Sequence, residues 1–230
     1  MKNEVKQDKV RGLKSNLWGI ILFGILVLVD LLTKIVADSY FAEYPETIRI
    51  IPGWIELRIS HNRGAAFSFA NNWSPPAKIA LVIVTCIMFV AMTVYYFAMD
   101  KRRAWVRTAL IFIVAGGVAN MFDRVYYRVW DPATYPDGVR DMVALNMLFT
   151  SAVCNFADFF IVGGAITLIV AMLFFDTGAV FPLTKKYKEL TKEAEEAEER
   201  KQAAKIKAAK ERALALKAER EAKDEEENED

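Results

Sequence analysis

Two polar side chains interrupt the apolar stretch AVCNFADFFIVGG, which runs from Ala152 to Gly164. Asn155 and Asp158 are three residues apart, so they share one face of a helix. An ionised carboxylate at the centre of a bilayer costs about 2.5–3.5 kcal/mol on insertion scales, and such a cost indicates a functional role or a partner. Asp158 is therefore a candidate for chemistry.

A second aspartate, Asp141, lies in GVRDM (Gly138–Met142), 17 residues before Asp158. One continuous helix would hold the two carboxyls about 25 Å apart, so we expect the chain to bend near LNMLFTS if they meet. Two adjacent carboxyls cannot both ionise easily, and one keeps a proton while the other remains a base. Such a pair can activate a water and polarise a carbonyl without a metal or a nucleophilic side chain.

Two further polar clusters precede this pair. Asp30 and Lys34 are four residues apart in an apolar segment, where a purely structural ion pair explains them equally well. In SHNRGAAFSFA, Asn62 and Gly64 begin a run of small residues that permits close backbone approach, so an extended ligand could lie against this edge. No intact Ser/His/Asp motif surrounds His61, so we interpret it as a surface histidine.

The segment AGGVANMFDR places Asn120, Asp123 and Arg124 on one helix face by their i, i+3, i+4 spacing. Gly116 and Gly117 supply a small-residue surface for packing against another helix. The structural alternative for this cluster is a packed interface capped by an Asp123–Arg124 pair.

Four apolar windows are long enough to cross a bilayer, which takes about 20 helical residues. With four spans, the N-terminal arm, the connection between the second and third windows, and the start of the tail lie on one side of the membrane. This side has twelve basic residues, and the other side has seven. This bias predicts that both termini are cytoplasmic. The windows are Leu17–Ala37, Ala77–Met99, Ala104–Phe122 and Ala152–Phe175.

The sequence therefore predicts a mainly α, polytopic membrane protein in three parts: a basic cytoplasmic arm (1–16), a four-helix core (17–175) and a charged helical cytoplasmic tail (176–230). A small extracytoplasmic β-element is expected at about 46–70, because Ile55, Leu57 and Ile59 alternate with polar residues after the Pro52-Gly53 turn signal. Glycine and proline are absent from Lys185 onward, as is typical of a solvated helix.

Composition excludes several classes of function. The formal net charge is +1, and no basic block with interleaved aromatic residues indicates a nucleic-acid partner. Cys86 and Cys154 lie in different apolar segments and are expected to be buried small hydrophobes. With a single histidine, we expect neither a metal site nor a cofactor.

These motifs, in this order, resemble the lipoprotein signal peptidases (signal peptidase II), which are bacterial membrane aspartic peptidases. The resemblance covers roughly residues 17 to 175. The matching motifs are Asp-x-x-x-Lys at Asp30 and Lys34, Asn-x-Gly-Ala-Ala-Phe at Asn62 to Phe67, Asn-x-x-Asp-Arg at Asn120 to Arg124, Val-x-Asp at Val139 to Asp141, and Asn-x-Ala-Asp at Asn155 to Asp158.

The resemblance implies an enzyme of the bacterial inner membrane, with its active site at the outer leaflet and lipid-modified prolipoproteins as substrates. Cleavage would occur just before the lipidated cysteine, and globomycin-like cyclic peptides would inhibit it. It further implies that Asp141 and Asp158 form a catalytic dyad. The implied substrate-binding residues are Asp30, Lys34, Asn62, Gly64, Asn120, Asp123, Arg124 and Asn155.

Alternatives remain at this point. The stretch between Arg124 and Asp141 is longer than is usual in the family, so Asp137 competes with Asp141 for the dyad, although Val139 favours Asp141. A transporter could use Asp30, Asp123 and Asp158 as a proton or cation relay, but no internal repeat supports it. A non-enzymatic scaffold would explain the tail and leave the polar clusters unexplained.

Overall fold

The computed structural model describes residues 2–64, 72–147, 150–176 and 179–227, and it confirms the mainly helical fold with a small sheet. Ala65, Ala66 and Phe67 of the predicted Asn-x-Gly-Ala-Ala-Phe segment lie outside the described residues. In chain order the elements are α1 (Lys2–Glu43), β1 (Ile48–Ile51), β2 (Ile55–Asn62), α2 (Pro75–Ala98), α3 (Ala104–Tyr126), β3 (Val139–Met147), β4 (Thr150–Cys154), α4 (Phe156–Phe174) and α5 (Lys185–Glu227).

Four helices in the described part of the chain are long and apolar enough to cross a membrane. Helix α3 is the central one: 67% of its apolar window is buried, against 11–17% in the other three. Exposed leucine, isoleucine and valine side chains cover the outer faces of α1, α2 and α4, as expected for surfaces that contact lipid. The four spans are Lys14–Glu43, Pro75–Ala98, Ala104–Tyr126 and Phe156–Phe174.

Glycines let the neighbouring helices approach α3 closely. A Cβ at Gly116 would collide with the carbonyl oxygen of Ala157 in α4, and one at Gly117 would collide with the ring of Phe89 in α2. The predicted small-residue surface is thus confirmed, and its two glycines serve two different helices. On α4, Gly164 lies against α3, whereas Gly163 has no atom within 4 Å of its Cβ position.

The sheet has the strand order β1-β2-β3-β4, with every neighbouring pair antiparallel. The predicted hairpin is present: β1 and β2 are joined by a turn in which Gly53 adopts a φ of 77°, a conformation that glycine adopts without strain. Strands β3 and β4 were not predicted. Residues 152–154, which we expected to begin the fourth span, belong to β4 instead, because a short apolar run can be either a buried strand or a helix.

The β3–β4 pair supplies the bend that the sequence required. Val143 lies opposite Cys154 in the ladder, so the chain returns on itself between Asp141 and Asp158. The predicted window, which began at Ala152, placed Asp158 about two turns inside the last helix. That position was wrong: Asp158 lies in the first turn of α4, because this helix begins only at Phe156.

Residues 171–230 form a second compact unit, which is described by itself. The chain after α4 folds back on the end of that helix, where the Phe181 amide donates to the Leu173 carbonyl oxygen at 2.7 Å. The rings of Phe175 and Tyr187 pack edge to face, with centroids 6.1 Å apart. Helix α5 then runs for 43 residues, and its described side chains are mostly exposed.

We expect Gly116→Ala to destabilise the protein by about 1–3 kcal/mol, because the new methyl group overpacks the contact with the Ala157 backbone. Gly163→Ala is the matched control, since it adds the same methyl group to a helix where nothing lies within 4 Å. The measurement is the thermal-unfolding midpoint of each purified variant in one detergent. Equal midpoints for the two variants would show that Gly116 does not set the spacing between α3 and α4.

Candidate active site

The N-terminus of α4 is held by side chains that include the candidate catalytic aspartate. The Asp158 amide donates to Asn155 Oδ1 at 3.1 Å, and the Asn155 amide donates to Asp158 Oδ2 at 3.1 Å. This reciprocal pair is a capping box, which supplies acceptors for two of the N–H groups left free at the start of the helix. The Ala157 amide donates to Asp30 Oδ1 on α1 at 2.7 Å. Asp158 therefore has a fixed position relative to α1 and to its own helix.

Two asparagines join the two candidate catalytic carboxyls. Asn155 Nδ2 donates to Asp141 Oδ1 at 2.6 Å, and Asn120 Nδ2 donates to Asp158 Oδ1 at 2.8 Å. The asparagines also bond to each other, from Asn155 Nδ2 to Asn120 Oδ1 at 3.0 Å. Asp141 thus belongs to this cluster, and Asp137 lies four residues earlier, before β3 begins.

Behind the asparagines lies a buried ion network centred on Lys34. Its ammonium lies 2.7 Å from Asp30 Oδ2 and 3.4 Å from Asp123 Oδ2, and all three side chains are fully buried. The predicted Asp30–Lys34 pair is therefore present. Lys34 Nζ also donates to Asn120 Oδ1 at 2.8 Å, which leaves the Asn120 amide nitrogen to face Asp158. The ammonium thereby sets the orientation of the Asn120 amide.

The partners of Asp123 differ from those expected. Its carboxylate pairs with Arg140, whose Nη2 lies 2.8 Å from Asp123 Oδ1, and not with Arg124 as the structural alternative supposed. The Arg140 backbone amide also donates to Asp123 Oδ2, at 3.2 Å. Sequence reasoning missed Arg140; the available signal was a charged residue beside Asp141 in an otherwise apolar run. This pair fixes β3 against α3 next to Asp141.

Arg124 contacts the segment that begins at Asn62. Its Nε and Nη2 donate to the Gly64 carbonyl oxygen at 3.3 and 3.2 Å. The Gly64 amide donates to Asn62 Oδ1 at 2.9 Å, and the Asn62 side chain also bonds to Asp141. Asn62 and Gly64, predicted as an edge for an extended ligand, therefore lie beside the two carboxyls.

Asp141 is almost completely inaccessible, with 3% of its surface exposed. Burial, and then the negative charge of Asp158, raise the pKa of Asp141 to about 7, although hydrogen bonds from Asn155 and Asn62 oppose the shift. Below about pH 7 the Asp141 carboxyl therefore holds a proton and can donate a hydrogen bond.

The remaining candidates lie outside this cluster or are chemically inert. Burial and the charges of Asp158 and Asp141 raise the pKa of the Cys154 thiol to about 12, so this thiol stays protonated. The expectation that both cysteines are buried was wrong, because Cys154 is half-buried and Cys86 is exposed. His61 Nε2 lies 3.3 Å from Asp38 Oδ1 and is partly exposed, as expected of a surface histidine. Among the described residues, no group of three His, Cys, Asp or Glu side chains could hold a metal ion.

Comparison with known proteins shows which family the chain resembles in sequence and in fold. A profile of the family described as signal peptidase (SPase) II matches residues 22–174. The chain is 30% identical over 159 residues to a lipoprotein signal peptidase of Fusobacterium nucleatum, covering 68% of this chain and 87% of the relative. It is 28% identical to one from Clostridium novyi, covering 67% and 95%. A solved bacterial membrane enzyme shares the fold, with a TM-score of 0.52 and 24% identity over 67% of this chain and 92% of that one.

We expect Lys34→Met to destabilise the fold by about 3–5 kcal/mol, because Asp30 and Asp123 would keep buried charges without their shared cation. Arg49→Met is the matched control: it also removes a cation from an ion pair, but that pair is 3.8 Å long and the arginine is exposed. Denaturant or thermal unfolding of both variants gives the comparison. A loss of stability in Lys34→Met no larger than that in Arg49→Met would contradict the central role of the Lys34 ammonium.

Proposed function

This chain belongs to the signal peptidase II family, and on that premise we propose that it cleaves diacylglyceryl-modified prolipoproteins just before the lipidated cysteine, with Asp141 and Asp158 as its catalytic dyad. Family membership itself makes the protein a bacterial membrane peptidase of lipoprotein processing. The observation that carries the dyad is the pair of asparagine bridges, which bring to one place two carboxyls that lie 17 residues apart in sequence.

The two aspartates take different roles because their surroundings differ. Asp141 is buried and has a raised pKa, so it holds the shared proton and donates it as a hydrogen bond to the scissile carbonyl oxygen. Asp158 is more exposed, and both of its oxygens accept hydrogen bonds, so it acts as the base that deprotonates the attacking water. The tetrahedral intermediate then collapses as the proton on Asp158 passes to the leaving nitrogen, and the peptide C–N bond breaks.

Substrate binding is assigned to the edge of β2 beyond Leu57 and to the adjoining turn. Strand β1 pairs with β2 only as far as Leu57, and among the described strands no other one pairs with this edge from Arg58 to His61. An extended peptide can add to such an edge through backbone hydrogen bonds. Arg124 fixes Gly64 at the end of this edge, and Asn62 connects it to Asp141. The scissile bond of a bound strand would therefore meet the dyad.

The position at the membrane follows from the same geometry. Asp158 lies in the first turn of a membrane-spanning helix, and Asp141 lies in a strand outside the spans. A substrate whose signal helix and acyl chains lie in lipid can reach carboxyls at this depth, and water can reach them as well. The excess of basic residues on the opposite side supports a position of this face at the outer leaflet, with both termini in the cytoplasm.

The transporter alternative requires Asp30 and Asp123 to exchange protons or cations. In the structure these carboxylates are paired with Lys34 and Arg140, and neither is exposed. Residues in such pairs stabilise a fold at fixed charge and are poorly suited to a relay. A peptidase uses the same pairs as supports for its asparagines and its dyad.

The proposal is tested by cleavage of a lipid-modified prolipoprotein by purified protein. Asp141→Asn and Asp158→Asn should each lower turnover by at least about a thousandfold, and the double variant should be little worse, because the two residues act as a unit. Asp137→Asn is the matched control and should keep near-normal turnover, and the unlipidated precursor should be a poor substrate. Full activity of Asp141→Asn, with loss in Asp137→Asn, would transfer the dyad role to Asp137.

The raised pKa of Asp141 also sets the direction of the pH dependence. Because the mechanism needs one shared proton, we expect turnover and inhibition by globomycin to fall as pH rises above about 7, the pKa of Asp141. A pH series of initial rates, with protein stability monitored in parallel, measures this. Rates that increase steadily up to pH 9 would contradict the assignment of the proton to this pair, and loss of activity with chelators would contradict a metal-free mechanism.

A further inference from the structure

Along α3 from Leu110 to Val118, α1, α2 and α3 enclose an apolar groove with a volume of about 320 Å³. Ile20 and Phe97 border it and are roughly half exposed, so the groove opens toward the surrounding bilayer. An apolar space that opens into a membrane is filled by lipid hydrocarbon, since water finds no hydrogen-bond partners there. Residues from all three helices line it, among them Gly19, Phe23, Tyr96, Leu110, Val114 and Val118.

A buried cation lies at one end of this groove. Arg107, in the first turn of α3, is 3% exposed, and its guanidinium lies 4.0 Å above the ring of Tyr96, which lines the groove. It donates to the Tyr96 carbonyl oxygen at 2.7 Å and to Asn16 Oδ1 at 2.8 Å. Both acceptors are neutral, and from Lys14 onward no described carboxylate accepts a hydrogen bond from Arg107. A buried charge in this situation favours an anionic partner.

The surroundings of Arg107 increase the positive potential. Lys101 Nζ donates to the carbonyl oxygen of Phe97, at the border of the groove, at 3.0 Å. Asp100, the acidic residue of the connection between α2 and α3, is held by Arg102 at 3.0 and 2.9 Å. This end of the groove therefore combines an apolar slot with at least two cations at a membrane boundary. Basic pockets of this kind between membrane helices bind lipid headgroups.

We propose that this groove is a binding site for an anionic phospholipid, with one acyl chain between α1 and α2 and the phosphate beside Arg107, Lys101 and Asn16. The site is separate from the dyad, and the proposal does not rest on the proposed catalytic function. The cationic end of the groove lies at the connection between α2 and α3, which belongs to the more basic side of the membrane. The excess of basic residues on that side therefore assigns the site to the cytoplasmic leaflet.

The signal helix of a substrate is the competing occupant, and charge argues against it. A signal peptide carries its positive n-region at the cytoplasmic end of its apolar segment. That end would meet Arg107 and Lys101, and like charges repel. A phospholipid with a negative phosphate and net negative headgroup meets the same residues with attraction.

The test is native mass spectrometry of the full chain, titrated in detergent with palmitoyl-oleoyl phosphatidylglycerol or with phosphatidylcholine of the same chains. We expect one phosphatidylglycerol to bind in clear preference to phosphatidylcholine. Arg107→Gln, which keeps donors for Tyr96 and Asn16 but removes the charge, should weaken phosphatidylglycerol binding about fivefold and leave phosphatidylcholine unchanged. Val118→Phe, which fills the apolar end of the groove, should weaken both lipids.

Lys188→Gln is the matched control, because it removes one exposed positive charge from α5 and should change neither affinity. The lipid preference is measured on folded protein, so it remains informative if Arg107→Gln lowers the unfolding midpoint. Equal binding of the two lipids, an unchanged preference in Arg107→Gln, or an equal loss in Lys188→Gln would overturn the site. Displacement of phosphatidylglycerol by a synthetic signal peptide would assign the groove to the substrate instead.

Discussion

Charge compensation around Lys34 is the constraint on which the rest of the active-site end depends. Isolated carboxylates cannot stay ionised in a low-dielectric interior, so each one needs a cation, a proton or several donors. This cluster contains four carboxyls and three cations, and one proton on Asp141 makes the balance even. The charge state that the proposed mechanism requires is thus also the state that burial favours. The groups are Asp30, Asp123, Asp141 and Asp158 with Lys34, Arg124 and Arg140.

The same groups serve as structural connections between elements. Asp30 neutralises Lys34 with one oxygen and accepts the Ala157 amide with the other, so α1 caps α4. Asp158 closes the capping box with Asn155 while one of its oxygens faces Asn120. Backbone donors at a helix N-terminus favour negative charge, which suits the role of base that we propose for Asp158. Loss of one of these residues therefore affects helix position and chemistry together, and activity alone cannot separate the two effects.

Sequence reasoning succeeded where the signal was local. Apolar windows predicted the four spans, alternation from Ile55 to Ile59 predicted β2, and the spacing of Asp30 and Lys34 predicted their ion pair. It failed where the local signal was ambiguous or where the contact joins two separate elements. The β3–β4 ladder and the late start of α4 were missed because an apolar run before Asn155 fits a buried strand as well as a membrane helix. The Asp123–Arg140 pair joins α3 to β3, and no periodicity reveals that contact.

A buried cation lies at each end of α3, and the two cations are stabilised in different ways. Lys34 contacts the Asn120 end of α3 and has two carboxylates within 3.4 Å, so its charge is neutralised inside the protein. Arg107 has a carbonyl, an amide and an aromatic ring, which stabilise a guanidinium only in part. Arginine is more weakly hydrated than lysine and tolerates such surroundings better. One end of the central helix is therefore electrostatically complete without a ligand, whereas the other would be completed by the anionic lipid that we propose.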